Sequence, residues 1–177
     1  AGLGYVKTMV DVTSPTTFAI EKTSAGTSWG ALYAQYWQKA SEVEAQSSGL
    51  KVKREVIVNG QATNDKSLNL RVGDKVKVRI TIVADRDYDF VQVQDKRAAC
   101  LEPAVQLSGY RWGYYCAPQD NVTNYYFDLM AKGEHVVETD YYVDRQGSYA
   151  SGVCTVQCAY SPEFAGREGA KCFTIIR

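Results

Sequence analysis

The segment from Lys75 to Ile82 alternates strictly between charged or polar side chains and branched apolar ones. Successive side chains of a β-strand point to opposite faces, so a period of two predicts a strand that covers a core on one face only. Gly152 to Tyr160 repeats the pattern, with Cys154, Val156, Cys158 and Tyr160 on one side. We therefore expect both cysteines to face inward.

Further short strands alternate with glycine-containing turns along most of the remaining chain. Thirteen tyrosines and only two methionines favour pleated, half-buried surfaces over helix faces. Many short strands joined by regular turns predict an all-β, antiparallel β-sandwich. The additional strands are expected at Lys51 to Val58, Tyr88 to Gln94, Tyr125 to Leu129, Glu134 to Val143 and Cys172 to Ile176.

The first 48 residues form a separate, smaller β segment in this interpretation. Strands are expected at Gly4 to Val10, Thr17 to Glu21 and Ala31 to Trp37, although the spacing over 31–45 also suits a partial helix. A polar break at Gln46 to Gly49 sets the boundary. The prediction is a partial β domain over 1–48 and a sandwich over 50–177.

The five cysteines, Cys100, Cys116, Cys154, Cys158 and Cys172, contain no C-x-x-C pair of the kind found in zinc or redox sites. Within a strand, Cys154 and Cys158 would be about 13 Å apart, beyond the roughly 7 Å limit for a disulfide. Two alternatives stay open: free cysteines on a core face, or disulfides from these two to Cys100 or Cys116.

Charge excludes several partner classes. Twenty basic and twenty acidic residues cancel, so the field that draws a protein onto nucleic acid or anionic lipid is missing. No segment approaches the roughly 20 apolar residues of a membrane-spanning helix. We expect neither a nucleic-acid partner nor membrane contact.

No catalytic, cofactor or metal site is predicted, and the chain is expected to be non-enzymatic. The single histidine, His135, lies within a predicted strand, where a structural role is the simpler interpretation. Asp85, Asp87 and Asp89 imitate the start of a calcium loop, but Phe90 and Lys96 replace the glycine and glutamate that an EF-hand requires.

The aromatic stretch within the long connection from Leu101 to Ala117 is the candidate interface. Aromatic residues and arginine are enriched in interface hot spots. We expect Tyr110 to cap the core and Trp112 and Tyr114 to face outward. The candidate interface residues are Arg111, Trp112, Tyr114 and Tyr115.

Several stretches, taken in order along nearly the whole chain, resemble the C-terminal region of bacterial alpha-2-macroglobulins, a family of large protease traps. They include Trp29-Gly30-Ala31-Leu32-Tyr33, Val72-Gly73-Asp74, Ala84-Asp85-Arg86-Asp87-Tyr88-Asp89-Phe90-Val91, Leu101-Glu102-Pro103, Gln106-Leu107-Ser108-Gly109-Tyr110 and Tyr160-Ser161-Pro162-Glu163-Phe164.

The resemblance implies that residues 50–177 are the terminal macroglobulin-like sandwich and that 1–48 are returning strands of the preceding domain. It also implies other domains of the parent protein as partners, target proteases through that parent, and export to the periplasm or cell envelope, often as a lipoprotein. The family's thioester motif, C-x-E-Q, is not present: Cys100-Leu101-Glu102-Pro103 has proline where the acyl-donating glutamine belongs.

Two functions follow from these patterns. The first is a structural and interaction domain of a protease inhibitor, with neither bait region nor thioester in this chain. The alternative is a free-standing carbohydrate-binding or adhesin sandwich that binds sugar through Trp112 and neighbouring tyrosines. Fold alone does not separate them.

Overall fold

The computed structural model describes residue 4 and residues 6–177, and among these residues it contains strands and one short 3-10 helix, Ala40–Glu42, but no α-helix. The predicted all-β class is confirmed. The strands are β1 Gln46–Ser48, β2 Leu50–Val58, β3 Gln61–Thr63, β4 Ser67–Arg71, β5 Lys75–Ala84, β6 Tyr88–Lys96, β7 Leu101–Pro103, β8 Gly109–Arg111, β9 Tyr114–Pro118, β10 Val122–Met130, β11 Gly133–Val143, β12 Gly147–Ala150, β13 Cys154–Cys158, β14 Ala165–Glu168 and β15 Cys172–Ile176.

The large sheet bends through β1 into two facing layers. One layer has the order β7-β11-β5-β2, with β3 on β2, and the other has the order β14-β13-β6-β10-β9-β8. The connecting strand β1 pairs antiparallel with β14 over three residues and with β2 only at Ser48 and Leu50. A small second sheet, β12-β15-β4, contains the parallel pair of β15 with β4.

The alternating strands build the core between the layers, as the sequence predicts. All five apolar side chains of one parity in β5 are buried, and so are Cys154, Val156 and Cys158 in β13. Tyr160 was expected on the same face, and this expectation is wrong. The strand ends at Cys158, and Tyr160 is exposed beside Phe90, with 5.2 Å between the ring centroids.

Arg54 occupies a core position of β2, between the buried residues Val52 and Val56. Its Nη1 donates to Asp95 Oδ1 in β6 at 2.7 Å, and its Nη2 donates to Ser151 Oγ at 2.9 Å and to Gly169 O at 2.8 Å. Burial lowers the pKa of Arg54, but the surrounding groups, with the charge and hydrogen bond of Asp95 foremost, together raise it above its ordinary value. One guanidinium therefore links both layers and two loops.

Two tyrosines join the layers farther along. The Tyr125 hydroxyl in β10 lies 2.6 Å from Thr139 Oγ1 in β11, and the Tyr141 hydroxyl in β11 lies 2.9 Å from Thr123 Oγ1 in β10. Both rings are buried. The hydroxyl pairs satisfy the polar ends that these large side chains bring into the core.

The N-terminal region differs from the prediction. Among the described residues before Gln46, no strand forms, and residues 6–39 are exposed. The segments Thr17 to Glu21 and Ala31 to Trp37 have no regular secondary structure, and Tyr5 of the first expected strand lies outside the described residues. Strand propensity needs a neighbouring strand to take effect. The first compact unit ends at Tyr36, and the second runs from Trp37 to Arg177.

The expected helix over 31–45 is also absent from the described residues, apart from the single turn Ala40–Glu42. Within the sandwich unit, the predicted strands form with bounds shifted by a few residues, and Cys172–Ile176 forms as expected. The sequence pattern did not predict eight other short strands, β1, β3, β4, β7, β8, β9, β12 and β14, because an alternation is hard to recognise over three to five positions.

We expect Arg54→Met to lower the free energy of unfolding by about 3 to 5 kcal/mol, because it leaves the Asp95 carboxylate buried without its partner. Urea denaturation measures the change. The neighbouring exposed Lys53, changed to Met, is the control and should stay within about 1 kcal/mol. An Arg54 variant as stable as this control would contradict the assigned role.

We also expect stability to fall at alkaline pH. Burial raises the pKa of the Cys100 thiol to about 11 and raises those of Cys154, Tyr125 and Tyr141 as well. In the unfolded chain these groups ionise near about 8.5 for cysteine and 10 for tyrosine. Their contribution is therefore complete below about pH 8.5 and is lost as the pH rises toward the folded pKa values. Burial also raises the pKa values of Tyr88, Tyr114 and Cys116, whereas Lys171, whose pKa burial lowers, opposes the trend.

Urea denaturation between pH 7 and 10.5 measures this dependence. Tyr141→Phe is the control, because it removes one ionising hydroxyl and should flatten the decline above pH 10. A free energy of unfolding that stays constant across this range would contradict the account.

Candidate interaction surface at one end of the sandwich

The candidate interface residues lie on and around the hairpin of β8 and β9, at one edge of the large sheet. The strands are joined by Trp112 and Gly113, and Gly113 takes a φ of 83°, which the second turn position requires and which glycine adopts without steric cost. The Trp112 side chain is 100% exposed at the tip. The hairpin thus holds a tryptophan away from the core.

Behind this tip, a cavity of about 220 Å³ opens beside the turn between β10 and β11, and we call it the end cleft. The cleft is lined from β9, β10, the β10–β11 turn and β11, and Val136 reaches it from the outward parity of β11. The side chains lining the end cleft are Trp112, Tyr114, Phe127, Leu129, Ala131, His135 and Val136.

Tyr114 forms the floor of the end cleft. Its ring lies 5.4 Å from that of Phe127 and 5.9 Å from that of Tyr125, measured between centroids, and packs on the core cluster. Burial raises the pKa of the Tyr114 hydroxyl. Tyr114 is therefore a packing residue with one edge toward the cleft, and the expectation that it faces outward is wrong.

Tyr110 also departs from the prediction. It was expected to cap the core, but its side chain is 77% exposed, because it lies on the outer face of β8 opposite Tyr115. Trp112 faces outward as expected. Arg111 is exposed, and Tyr115 is half-buried on the outer face. The structure thus divides the four candidate residues among the tip, the cleft and the outer face.

Leu129 and Val136 also line the end cleft, and the sequence pattern did not identify them. Leu129 is 60% exposed and Val136 is 47% exposed. The strand alternation in the sequence could have identified both as exposed apolar side chains. Leu129 continues the inward parity of Tyr125 and Phe127 past the core, and Val136 stands beside Val137, so only one of the two can face inward.

His135 is half-buried at the rim of the cleft, and its Nε2 donates to the Ala131 carbonyl at 2.7 Å. The ring centroid lies 6.2 Å from that of Phe127. The Nε2 of His135 is thus already hydrogen-bonded to the backbone. This geometry is that of a packing histidine.

The acidic turn at Asp85 to Asp89 and the Cys100 motif both have structural roles. Asp85 accepts hydrogen bonds from Tyr88 and Arg86, and Asp87 accepts one from the Lys132 backbone N–H at 2.7 Å. No cluster of three or more His, Cys, Asp or Glu side chains in the described part of the chain could hold a metal ion. Cys100 is buried beside β7, and all five cysteines are free thiols.

Within the described residues, no helix is long and apolar enough to cross a membrane.

Comparison with solved structures identifies the class of protein. The described chain aligns with a mutant of Salmonella alpha-2-macroglobulin at a TM-score of 0.64 and 23% identity, over 75% of this chain and 10% of that one. It aligns with the native conformation of Escherichia coli alpha-2-macroglobulin at a TM-score of 0.68 and 16% identity, over 80% of this chain and 10% of that one. These likenesses define a macroglobulin-like β-sandwich.

The particular family follows from the sequence itself. The model described as Bacterial Alpha-2-macroglobulin MG10 domain matches residues 49–163, more than half of the chain. The chain belongs to this family, and the resemblance found in the sequence is confirmed.

Two further structures are similar. A trypsin-activated E. coli alpha-2-macroglobulin aligns at a TM-score of 0.65 and 15% identity, over 76% of this chain and 11% of that one. A Salmonella alpha-2-macroglobulin reacted with methylamine aligns at a TM-score of 0.63 and 23% identity, over 75% of this chain and 10% of that one. The chain spans about a tenth of the length of these relatives. No curated protein sequence matches it significantly.

We expect Trp112→Ala to change the free energy of unfolding by no more than about 0.5 kcal/mol, because the side chain makes little contact with the core. Tyr114→Ala, its matched control two residues away, should cost about 2 kcal/mol, near half the loss for a fully buried aromatic ring. Urea denaturation of both variants gives the comparison. Equal losses would show that Trp112 belongs to the core.

Proposed function

We propose that this chain is a structural and interaction domain of a large protease-trapping inhibitor, and that the end cleft contacts another domain of the parent protein. The observation that carries the proposal is the fully exposed Trp112 beside a cleft with exposed Leu129 and Val136, in a chain of the MG10 family. Exposed apolar patches of this kind mark interaction sites.

The protease-trapping part of the proposal is supported by the relatives. Trypsin activation is a property of the E. coli protein, and reaction with methylamine is a property of the Salmonella protein. Target proteases would meet this chain through the parent. We propose that the chain provides a folded domain and its contacts to the parent protein, and we propose no catalytic group in it.

The N-terminal residues support the same proposal. Large apolar side chains before the sandwich are exposed. Trp29 and Trp37 are almost fully exposed, and so are most of the surfaces of Leu32, Tyr33 and Tyr36 between them. A soluble chain rarely exposes so many aromatic side chains together. We propose that residues 1–48 are completed by strands of the preceding domain in the parent. We also propose export to the periplasm or cell envelope, as the family resemblance implies.

Association with the parent tests the proposed docking. The 177-residue chain is titrated calorimetrically into the rest of the parent polypeptide, as encoded upstream of residue 1. Trp112→Ala should weaken this binding about 30-fold, the loss typical of an interface hot spot. Tyr142→Ala, which removes an exposed tyrosine from β11 on the other layer, is the control and should bind normally.

Equal affinity of the two variants would contradict docking through the end cleft. The chain by itself should leave trypsin free to cleave a large protein substrate and should gain no mass with methylamine, because it contains no C-x-E-Q sequence. Protection of the substrate by the isolated chain would contradict its assignment as one domain of the trap.

A further inference from the structure

Three tyrosines, one each in β8, β9 and β10, line up across the outer face of the second layer, and none of them lines the end cleft. Tyr110 in β8 is the cross-strand partner of Tyr115 in β9, and Tyr115 is the partner of Tyr126 in β10. Directly paired residues of antiparallel strands share one face of the sheet. The three rings therefore form a single row, which we call the outer tyrosine row.

Amide side chains continue this row on the next two strands. Tyr126 pairs with Gln92 in β6, and Gln92 pairs with Gln157 in β13. The Gln92 Nε2 lies 3.4 Å from the Tyr126 hydroxyl and 3.4 Å from Asn124 Oδ1. With strands about 4.8 Å apart, the face changes stepwise from aromatic rings to hydrogen-bonding amides.

The outer tyrosine row is accessible. Tyr110 is 77% exposed and Tyr126 is 39% exposed, and Tyr115 is half-buried between them. The rings of Tyr110 and Tyr115 meet edge to face, with 5.0 Å between their centroids and 72° between their planes. This packing holds the rings in place without covering them, so no refolding is needed before a ligand contacts them.

A groove of about 410 Å³ is lined by all three tyrosines of the row, together with Arg111, Asp128, Gly113 and Tyr114, and its charged groups balance. Arg111 contributes one guanidinium and Asp128 contributes one carboxylate, and the three tyrosines add hydroxyls. The volume is that of a small-molecule site. Because no charge is in excess, the groove selects for neither an anion nor a cation, and a protein partner would require a larger surface.

We propose that the outer tyrosine row binds a neutral oligosaccharide that lies across β8, β9 and β10 toward Gln92. A sugar ring presents C–H groups on its faces and hydroxyl groups at its edges. The tyrosine rings contact the C–H faces, and the hydroxyls, Asp128, Arg111 and the amides bind the sugar hydroxyls as donors and acceptors. The end cleft does not offer this combination, since its lining contains one tyrosine and neither a carboxylate nor a guanidinium.

The test uses the 177-residue chain and three neutral probes: chitohexaose, cellohexaose and maltohexaose. Isothermal titration calorimetry should detect binding of at least one of them. Tyr110→Ala and Tyr126→Ala should each weaken that binding roughly threefold to tenfold, the loss expected for one aromatic contact. Tyr126→Phe retains the ring and should weaken binding less than Tyr126→Ala, which separates a binding role from a folding defect.

Two controls locate the site. Trp112→Ala changes the tip of the hairpin, and Tyr142→Ala removes a comparably exposed tyrosine from the other layer; both should bind the sugar as the unchanged chain does. Failure of all three probes to bind at millimolar concentration would overturn the proposal. So would a loss of sugar affinity in Trp112→Ala equal to that in Tyr126→Ala. Neither result bears on docking of the end cleft, which is measured with the parent polypeptide.

Discussion

The buried contact between Arg54 and Asp95 is the interaction on which the arrangement of this sandwich depends. Moving a guanidinium and a carboxylate out of water costs several kcal/mol each, and the structure offsets this by giving the arginine four acceptors from three parts of the chain. Only one alignment of β2 with β6 allows all of them. Apolar side chains at the same two positions would tolerate small shifts between the layers.

The contact also fixes the loops around it. Ser151 accepts from both Arg54 Nη2 and the Lys171 backbone N–H, so the start of the small sheet is tied to the same centre. Gly166 lets β14 pass close to β2, since a Cβ there would lie 2.3 Å from the Leu50 carbonyl oxygen. With the middle of the sandwich fixed in this way, the end that carries the hairpin can remain open without loss of the fold.

The sequence predicted the parts of the structure that repeat. The alternation in β5 and β13 places their buried side chains correctly, because a period of two has only one structural interpretation over eight residues. Arg54 was not recognised, although it falls on the apolar parity of β2. Its partner Asp95 lies 41 positions away, and only the fold brings the two together. Paired charges in a core cannot be deduced from either strand separately.

The interface predictions failed or succeeded for a similar reason. Trp112 was placed correctly, because a hairpin tip is exposed whichever way the hairpin bends. The predicted orientations of Tyr110 and Tyr114 were the reverse of those observed. The two tyrosines lie on opposite faces of the hairpin, and composition gives no information about which face meets the core. The strands predicted before Gln46 do not form among the described residues, because a strand also needs a neighbouring strand, which local sequence does not reveal.

The five free thiols give this domain a built-in set of chemical reporters. They belong to four separate parts of the fold: the approach to β7, the hairpin strand β9, the central strand β13 and the small sheet at β15. An alkylating reagent reaches a buried thiol only when its own strand opens, so the labelling rate at each position measures the free energy of local opening there. Half-buried Cys172 should react first, and Cys154, which is fully buried beside Arg54, should react only when the two layers separate.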